Sequence, residues 1–381
     1  MSVFQPLFDG GAAAPELTGA AYLQAMLDVE EALAAAQAEL GMIPREAAEA
    51  IATHAGAAEY DVEALGRAAR SSFQPAIPLV AALRERVGPD AAPFVHRGAT
   101  SQDVVDTASM LVAKRALTVT LGEVRAAADR ARQLARPHLR TPMLARTLLQ
   151  AAAPTTLGLV AAGWAAALRQ AHHELHLVWR EGLAVQLGGA AGTQQAWGLH
   201  GARVTQVMAR ELHLRAPDLP WHDRRGRVLT LAAGLAGASG AAGKIGRDVT
   251  LLAQEEVGEV RERPEPGRGG SSAMAHKQNP VAAIGAVACA ARAPGLLATV
   301  AQAQVGDLQR AAGAWQAEWE PLLELLRVSG SAVTWIHESL GRLEVDAARM
   351  RRNLAASGLD RDLEDAVEAA VRLVERAAEG W

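Results

Sequence analysis

Hydrophobic residues recur along much of the chain at the three-to-four-residue spacing of an amphipathic α-helix. This spacing predicts a helix over residues 21–40, which Gly41 and Pro44 terminate. Prolines interrupt the stretch that follows, where we expect only short helices. Long helices are then predicted over residues 103–134, 154–179, 227–260 and 280–326. The pattern therefore indicates a bundle of long helices preceded by a cap of short ones.

Three segments of this pattern contain no charged residue: 147–168, 228–243 and 280–291. Helices that are apolar all round need to be covered on every side. One small monomer offers too few helices to cover three of them. We therefore interpret them as core helices of a bundle that several subunits share.

The composition favours an all-α fold. Half of the 381 residues are hydrophobic but only 4% are aromatic, so the core consists mainly of Ala, Leu and Val. Ala and Leu are strong helix formers and allow helices to approach closely. We predict an N-terminal helical domain (1–102), a central bundle of long helices (103–353) and a short C-terminal helical region (354–381).

Charge and cysteine content narrow the classes of function. A net charge of −4 provides no basic surface for nucleic acid or an anionic membrane. The single cysteine, Cys289, cannot form an internal disulfide, and residues 1–11 lack the pattern of a secretory leader. A cytoplasmic protein is expected.

No metal or cofactor is expected. His172 and His176 share an i, i+4 spacing, but no glutamate follows His172 as in a His-Glu-X-X-His motif. We interpret these two histidines and His222 as surface residues. The glycines of 188–192 lack the spacing and the preceding strand of a nucleotide-binding loop.

One segment concentrates groups that bind anions. It reads Gly270-Ser271-Ser272-Ala273-Met274-Ala275-His276-Lys277-Gln278-Asn279-Pro280. Glycines and prolines just upstream predict a mobile lid. Backbone N–H groups, the Lys277 ammonium and the Asn279 amide could together hold a carboxylate. The alternative is a Gly/Ser-rich surface linker.

Residues 96–103 place His96, Thr100 and Ser101 just before a predicted helix, and helix N-termini bind anions. The alternative is an ordinary helix cap made by Ser101 or Asp103, with His96 as a surface or structural histidine.

Further polar candidates lie beside apolar or charged runs. Thr147 and Gln150 adjoin an apolar run where polar side chains need partners, and Arg146 precedes them. Arg225 lies in the charged cluster 223–227, which fits a solvated helix start as well as a ligand contact.

These segments resemble the motifs of the fumarase/aspartase superfamily: Gly-Ser-Ser-X-Met-Pro-X-Lys-X-Asn, His-X-Gly-X-Thr-Ser-X-Asp and Gly-Arg-Thr-His-X-Gln. Here Ala275 replaces the proline of the first motif, Leu148 stands in place of the histidine, and Ile284 stands in place of the histidine's glutamate partner. The resemblance implies a long-helix bundle, a homotetramer whose sites are built from three chains, and a small polycarboxylate substrate.

Within the superfamily, the chain is most similar to the bacterial 3-carboxy-cis,cis-muconate cycloisomerases of the protocatechuate (β-ketoadipate) pathway of aromatic catabolism, which typically lack the same histidine. The similarity covers about residues 23–354, with matching segments at 23–33, 187–193, 220–225 and 244–249. It implies a shortened C-terminal domain in this chain. A carboxylate leaves without protonation because carboxylic acids have pKa values near 4, so lactone chemistry needs no acid/base pair.

The resemblance also implies roles for individual residues. Ser271 would transfer the proton, with His96 and His276 as rival carriers, and Lys277 and Asn279 would bind the reacting carboxylate. The remaining candidates for substrate contact are Thr100, Ser101, Arg146, Thr147, Gln150, Arg225, Ser272, Met274 and His276.

Two other functions stay open at this point. One is a C–N lyase of the adenylosuccinate lyase type that releases fumarate, which Leu148 and Ile284 disfavour. The other is a non-catalytic scaffold or binding protein that kept the fold, which Ala275 and the short C-terminal region suggest.

Overall fold

Long helices dominate the computed structural model, which describes residues 3–270, 274 and 277–378. The N-terminal part contains α1 (Gly19–Glu39), α2 (Arg45–Thr53), α3 (Val62–Ala69) and α4 (Ala76–Ala91). The central part contains α5 (Ser101–Ala135), β1 (Pro142–Thr147), β2 (Gln150–Thr156), α6 (Leu157–Leu177), α7 (Gly201–Glu211), α8 (Gly226–Leu252), β3 (Val260–Glu262), α9 (Val281–Gln302), α10 (Ala314–Ala317) and α11 (Trp319–Arg342). The chain continues with β4 (Leu343–Val345), α12 (Ala347–Ser357) and α13 (Leu363–Ala378).

The bundle is built from α5, α6, α8, α9 and α11. Helices α5, α8 and α11 run in one direction, since the N-terminal ends of all three meet where Arg225 contacts Asp106 and Glu318. Helices α6 and α9 run the opposite way. The small residues expected from the composition lie at the crossings: a Cβ on Gly246 of α8 would come within 2.6 Å of the Ala283 carbonyl oxygen of α9. The all-α prediction is confirmed.

Three predicted helices differ from the observed ones. The helix predicted over 227–260 ends at Leu252, and the one predicted over 280–326 is wrong as a single helix, because α9 stops at Gln302 and α11 starts at Trp319. The helix predicted from residue 154 begins at Leu157. The preceding residues form β2, which pairs with β1 in an antiparallel hairpin.

The interpretation of 147–168 as core is wrong for its first part. Residues 147–153 are exposed in the hairpin, and Leu148 at its tip is 96% exposed. The two tip residues, Leu148 and Leu149, have φ of 52° and 65°, the left-handed conformations of a type I′ turn. Side chains other than glycine adopt this region at a cost, so the hairpin holds two leucines in an unfavourable conformation.

Two described helices, α8 and α9, are long and apolar enough to cross a membrane by length and composition alone. In the single chain, 50% of the apolar window of α8 is buried but only 28% of that of α9. Helix α9 packs on α8 and α11 with one side and leaves the other uncovered. The division into domains at residues 102 and 353 stays a prediction.

Candidate active site

Asp103 organises the N-terminal end of α5. Its carboxylate accepts hydrogen bonds from the backbone N–H groups of Gly188 (2.8 Å), Gly189 (2.9 Å) and Thr100 (3.0 Å). The bond to Thr100 closes a capping box, so the expectation that Asp103 satisfies free amides there is confirmed. The bonds to the glycines also fix the loop 187–193 beside Thr100 and Ser101.

His222 is a further partner of the Asp103 carboxylate, next to the loop 187–193. Its Nε2 lies 2.7 Å from Oδ1 of Asp103, and the ring is buried, so the interpretation of His222 as a surface residue is wrong. A Cβ on Gly188 would come within 2.6 Å of the His222 ring, so only glycine fits at this point of the loop. The His222 ring therefore packs directly against the loop at Gly188.

A buried ion cluster lies one helical turn further along α5. Both oxygens of Asp106 accept hydrogen bonds from Arg225, at 2.7 and 2.9 Å, and Arg225 also contacts Glu318. Arg225 is only 5% exposed, so a solvated helix start is excluded as its role. Burial opposes the charge on Arg225, but the two carboxylates outweigh it and raise the pKa of the guanidinium. Its predicted role in substrate binding stays a prediction.

Two carboxylates share one arginine in this cluster. Burial raises the pKa of Glu318 from 4.5 to about 7, against the opposing attraction of Arg225. Between these two values the folded protein holds more protons than the unfolded one. This group therefore favours folding below about pH 4.5, and its contribution is lost as the pH rises through about 7.

We expect Glu318→Gln to remove this pH dependence, because glutamine does not ionise. The free energy of unfolding of the wild type, relative to that of the variant, should fall by roughly 2 kcal/mol between pH 5 and 7. Urea unfolding at fixed protein concentration across this range measures the difference. A constant difference, or one that grows with pH, would contradict the expectation.

His96 lies just before α5 with its side chain turned to α1. Its Nδ1 is 2.6 Å from Oε1 of Glu30, which is 1% exposed. The residue adopts φ of 60°, a left-handed conformation that histidine tolerates better than most residues. The structural alternative for His96 is therefore correct in part, since the ring is tied to a buried carboxylate.

The signature segment is described at Gly270, at Met274 and at residues 277–280. Ser271, Ser272 and His276 lie outside the described residues, so their roles stay predictions. The Lys277 side chain is exposed. The Asn279 side-chain amide donates to the Gly269 carbonyl oxygen (3.0 Å), and Asn279 N–H donates to the same oxygen (2.8 Å). Both hydrogen bonds of Asn279 therefore connect it to the carbonyl group of Gly269 at the start of the same loop.

Two ion pairs attach the start of this loop to α11. Arg268 lies 2.6 Å from Glu338, and Glu265 lies 2.7 Å from Arg342. The N-terminus of α9 is already capped, because Glu262 accepts hydrogen bonds from its first free amides. An anion held by the loop must therefore rely on its side chains and on loop amides rather than on the amides at the start of α9.

The hairpin candidates have different surroundings. Arg146 forms a two-pronged ion pair with the buried Glu259, at 2.8 and 3.1 Å, and Asn353 donates to the same carboxylate. Thr147 and Gln150 pair at the hairpin tip and are exposed. The segment carrying them is not in the core of the chain, so neither side chain requires a buried partner there. Their predicted contact with the substrate stays a prediction.

The candidate residues fall into two groups at opposite ends of the bundle. Helix α5 has 35 residues and is about 52 Å long, and the hairpin, whose strands have six and seven residues, reaches about 20 Å from the C-terminal end of α5. Thr100 and the hairpin tip are therefore about 30 Å or more apart. Helix α9, with 22 residues and about 33 Å long, likewise separates Lys277 from Arg225. One chain cannot bring both groups to one small substrate.

The sequence interpretation missed several residues at the end of the bundle where α5 begins. They are Glu30, Asp106, Gln186, Arg310 and Glu318. One signal was available, since Gln102, Asp103 and Asp106 lie on one face at the start of a predicted helix that has no other charged residue before Lys114, and buried carboxylates require partners. Arg310 donates to the Gln102 side chain (3.1 Å) and to the Ala190 carbonyl oxygen (3.2 Å). No sequence pattern marked it.

Among the residues that the structure describes, no group of three or more His, Cys, Asp or Glu side chains could hold a metal ion. The candidate residues at the two ends supply hydroxyl, imidazole, ammonium, guanidinium and amide groups, together with backbone amides. Such groups bind carboxylates and stabilise an anion that forms beside them.

The fold and these motifs define a class of enzyme. A family model described as "Lyase" matches residues 14–295, so the chain belongs to this lyase family, part of the fumarase/aspartase superfamily. The predicted superfamily is confirmed, and so is the prediction of an enzyme.

Among its relatives, the 3-carboxy-cis,cis-muconate cycloisomerase of Bradyrhizobium diazoefficiens is 48% identical over 88% of this chain and 75% of its own length. The nitrosuccinate lyase of Streptomyces davaonensis is 41% identical over 93% of this chain and 77% of its own length. The crystal structure of the 3-carboxy-cis,cis-muconate lactonizing enzyme from Pseudomonas putida superimposes with a TM-score of 0.88 at 38% identity, covering 100% of this chain and 88% of that one.

Proposed function

We propose that the protein is a cycloisomerase that interconverts 3-carboxy-cis,cis-muconate and its carboxymuconolactone. The observation that carries the proposal is the lack of both halves of the superfamily's acid/base pair, at Leu148 and Ile284. Both side chains are apolar and exposed in the single chain. A reaction whose leaving group is a stable carboxylate does not need that pair.

In the lactone-forming direction, a substrate carboxylate oxygen adds to a carbon of the conjugated double bond. The electron pair of that bond moves to the neighbouring carbon and its carboxylate, which becomes an aci-carboxylate dianion. We propose that Lys277 stabilises this charge and that Ser271 delivers the proton to the carbon. In the reverse direction Ser271 takes the proton and the ring carboxylate leaves unprotonated. Intramolecular attack is fast once the geometry is held.

The candidate residues lie in two groups at opposite ends of the bundle, which supports a site assembled from several chains. Thr100, Ser101 and the loop 187–193 would come from one chain, and the hairpin and the signature loop from others. The uncovered side of α9 and the exposed hairpin leucines are the apolar surfaces that such an assembly would bury. We therefore propose a homotetramer.

We also propose a cytoplasmic location, in a pathway that degrades aromatic compounds. The single cysteine, Cys289, is buried, and burial raises the pKa of its thiol to about 12, so it stays a thiol and packs as a small apolar group. Its chemistry therefore fits a reducing compartment.

A direct assay tests the function. Purified protein is given 3-carboxy-cis,cis-muconate, and the absorbance of the conjugated diene is followed. Loss of the diene with lactone formation supports the proposal, and the active species should have the mass of a tetramer in solution. No change in absorbance, with a correctly folded tetramer, would contradict the cycloisomerase.

A second candidate is the elimination of nitrite from nitrosuccinate, which would leave fumarate. The match to the nitrosuccinate lyase extends over 93% of this chain. Nitrite, like a carboxylate, is a stable anion at neutral pH and leaves without a proton donor. The same preparation is therefore given nitrosuccinate, with nitrite measured by colour formation and fumarate by absorbance. Adenylosuccinate, whose amine leaving group profits from a general acid, serves as the comparison substrate.

A further inference from the structure

A buried carboxylate and an imidazole form a pair in this protein. It lies at other positions than the superfamily's acid/base pair, which Leu148 and Ile284 replace. Glu30 lies on α1 and His96 just before α5, and the atoms Oε1 and Nδ1 are 2.6 Å apart. The Glu30 side chain is 1% exposed and that of His96 is 15% exposed. His96 lies four residues before Thr100, at the end of the bundle where Asp103 binds the loop 187–193.

Within the described part of the chain, His96 is the one side-chain partner of the Glu30 carboxylate. Its second oxygen, Oε2, is buried without a hydrogen-bond partner in the part of the chain that the structure describes. A buried carboxylate is costly unless a cation pairs with it. His96 is the group that can supply the charge, and it does so only when both ring nitrogens carry protons.

The other charges around the ring agree with this assignment. Burial alone would lower the pKa of His96, but Glu30 outweighs it, and Asp103 of α5 acts in the same direction. Arg84 of α4 opposes them, and the net effect is a raised pKa. Among the described residues, no hydrogen-bond partner is present for Nε2, so this N–H is free to donate to a ligand.

We propose that Glu30 is a positioning residue that keeps His96 as an imidazolium, and that this imidazolium binds a substrate carboxylate beside Thr100 and Ser101. The inference rests on the proposed function only in requiring a polycarboxylate. A histidine held in its protonated form cannot take a proton from carbon. His96 is thereby excluded as the base that takes the proton in the lactone-opening direction, and it is assigned to binding.

The variant Glu30→Gln tests the pairing, because glutamine keeps the shape and the hydrogen-bond acceptor but lacks the charge. Nuclear magnetic resonance titration of the His96 ring should give a pKa above the ordinary value in the wild type. The pKa should be at least about one unit lower in the variant. A wild-type pKa below the ordinary value would overturn the proposal whether or not the variant folds.

Kinetics separate binding from a merely structural role. The value of kcat/KM should fall as pH rises through the raised pKa of His96, and in Glu30→Gln this falling limb should move to lower pH. At pH 7.5 the variant should lose about tenfold or more in kcat/KM, mainly through KM. His96→Gln should give a similarly high KM at all pH values. A loss confined to kcat in either variant would overturn the assignment.

An unreactive tricarboxylate keeps the test independent of the reaction. Propane-1,2,3-tricarboxylate should bind the wild-type tetramer about tenfold more tightly at pH 6 than at pH 9, and this difference should disappear in His96→Gln. Glu49→Gln, which removes an exposed carboxylate on α2, is the control and should behave as the wild type. Equal binding by the wild type and His96→Gln would overturn the proposal. If the tricarboxylate binds as expected but muconate is not converted, only the proposed function fails.

Discussion

Replacing Lys277 with alanine is expected to lower kcat by about 10²- to 10³-fold. A donor aimed at an anion that forms in the transition state typically contributes this much, or about 3–4 kcal/mol. Lys277 is exposed in the single chain, so its removal should leave the fold intact and the loss should report on the reaction alone. Steady-state rates with 3-carboxy-cis,cis-muconate measure the effect.

A matched control for Lys277→Ala is Arg67→Ala, which removes one positive charge from an exposed pair on α3, far from the signature loop in sequence. This variant should retain the wild-type kcat and KM. If Lys277→Ala kept more than about a third of the wild-type kcat, the proposed role of the lysine would be wrong.

Arg225→Met is expected to destabilise the protein by about 3–5 kcal/mol. Methionine fills much of the same volume but leaves the Asp106 carboxylate buried without a counter-charge, and breaking a buried pair from one side carries this cost. Trp315 and Gln102 also donate to Asp106, but neither carries a charge. The midpoint of urea unfolding, measured at fixed protein concentration, reports the change.

The neighbouring arginine provides the control for Arg225→Met. Arg224 is exposed and donates a hydrogen bond to the Pro220 carbonyl oxygen, so Arg224→Met should change the free energy of unfolding by less than about 0.5 kcal/mol. An Arg225→Met variant of normal stability and greatly raised KM would show instead that Arg225 acts on the substrate rather than on the fold.

Helix positions were predictable wherever local spacing decides them. Helix α1 was expected over 21–40 and spans Gly19–Glu39, and α5 was expected over 103–134 and spans Ser101–Ala135. Both contain an uninterrupted hydrophobic face of several turns. Such a face specifies a helix regardless of what packs against it.

The helix predictions fail where tertiary packing overrides the local sequence pattern. Residues 150–156 are rich in alanine, yet they form β2, because they pair with β1 and lie against α13. The apolar spacing of 280–326 continues across residues 303–313, although the chain turns there and Arg310 reaches the loop 187–193. Neither contact is visible from neighbouring residues.

The motif residues identified the class of reaction, but not their surroundings. His96, Thr100, Lys277 and Asn279 were singled out from the sequence because their functional groups suit a carboxylate. That Asn279 bonds to Gly269 in the same loop, and that Arg225 lies between two carboxylates, required coordinates.

The helical architecture and the chemical types of the candidate site residues could be predicted from the sequence, because they depend on side-chain chemistry and short-range spacing. Which charges pair could be known only from the fold. Glu30 and His96 are 66 residues apart, and Asp103 and His222 are 119 apart. Charges separated so far along the chain meet only through the packing of whole helices, and burial then determines which of them hold their protons.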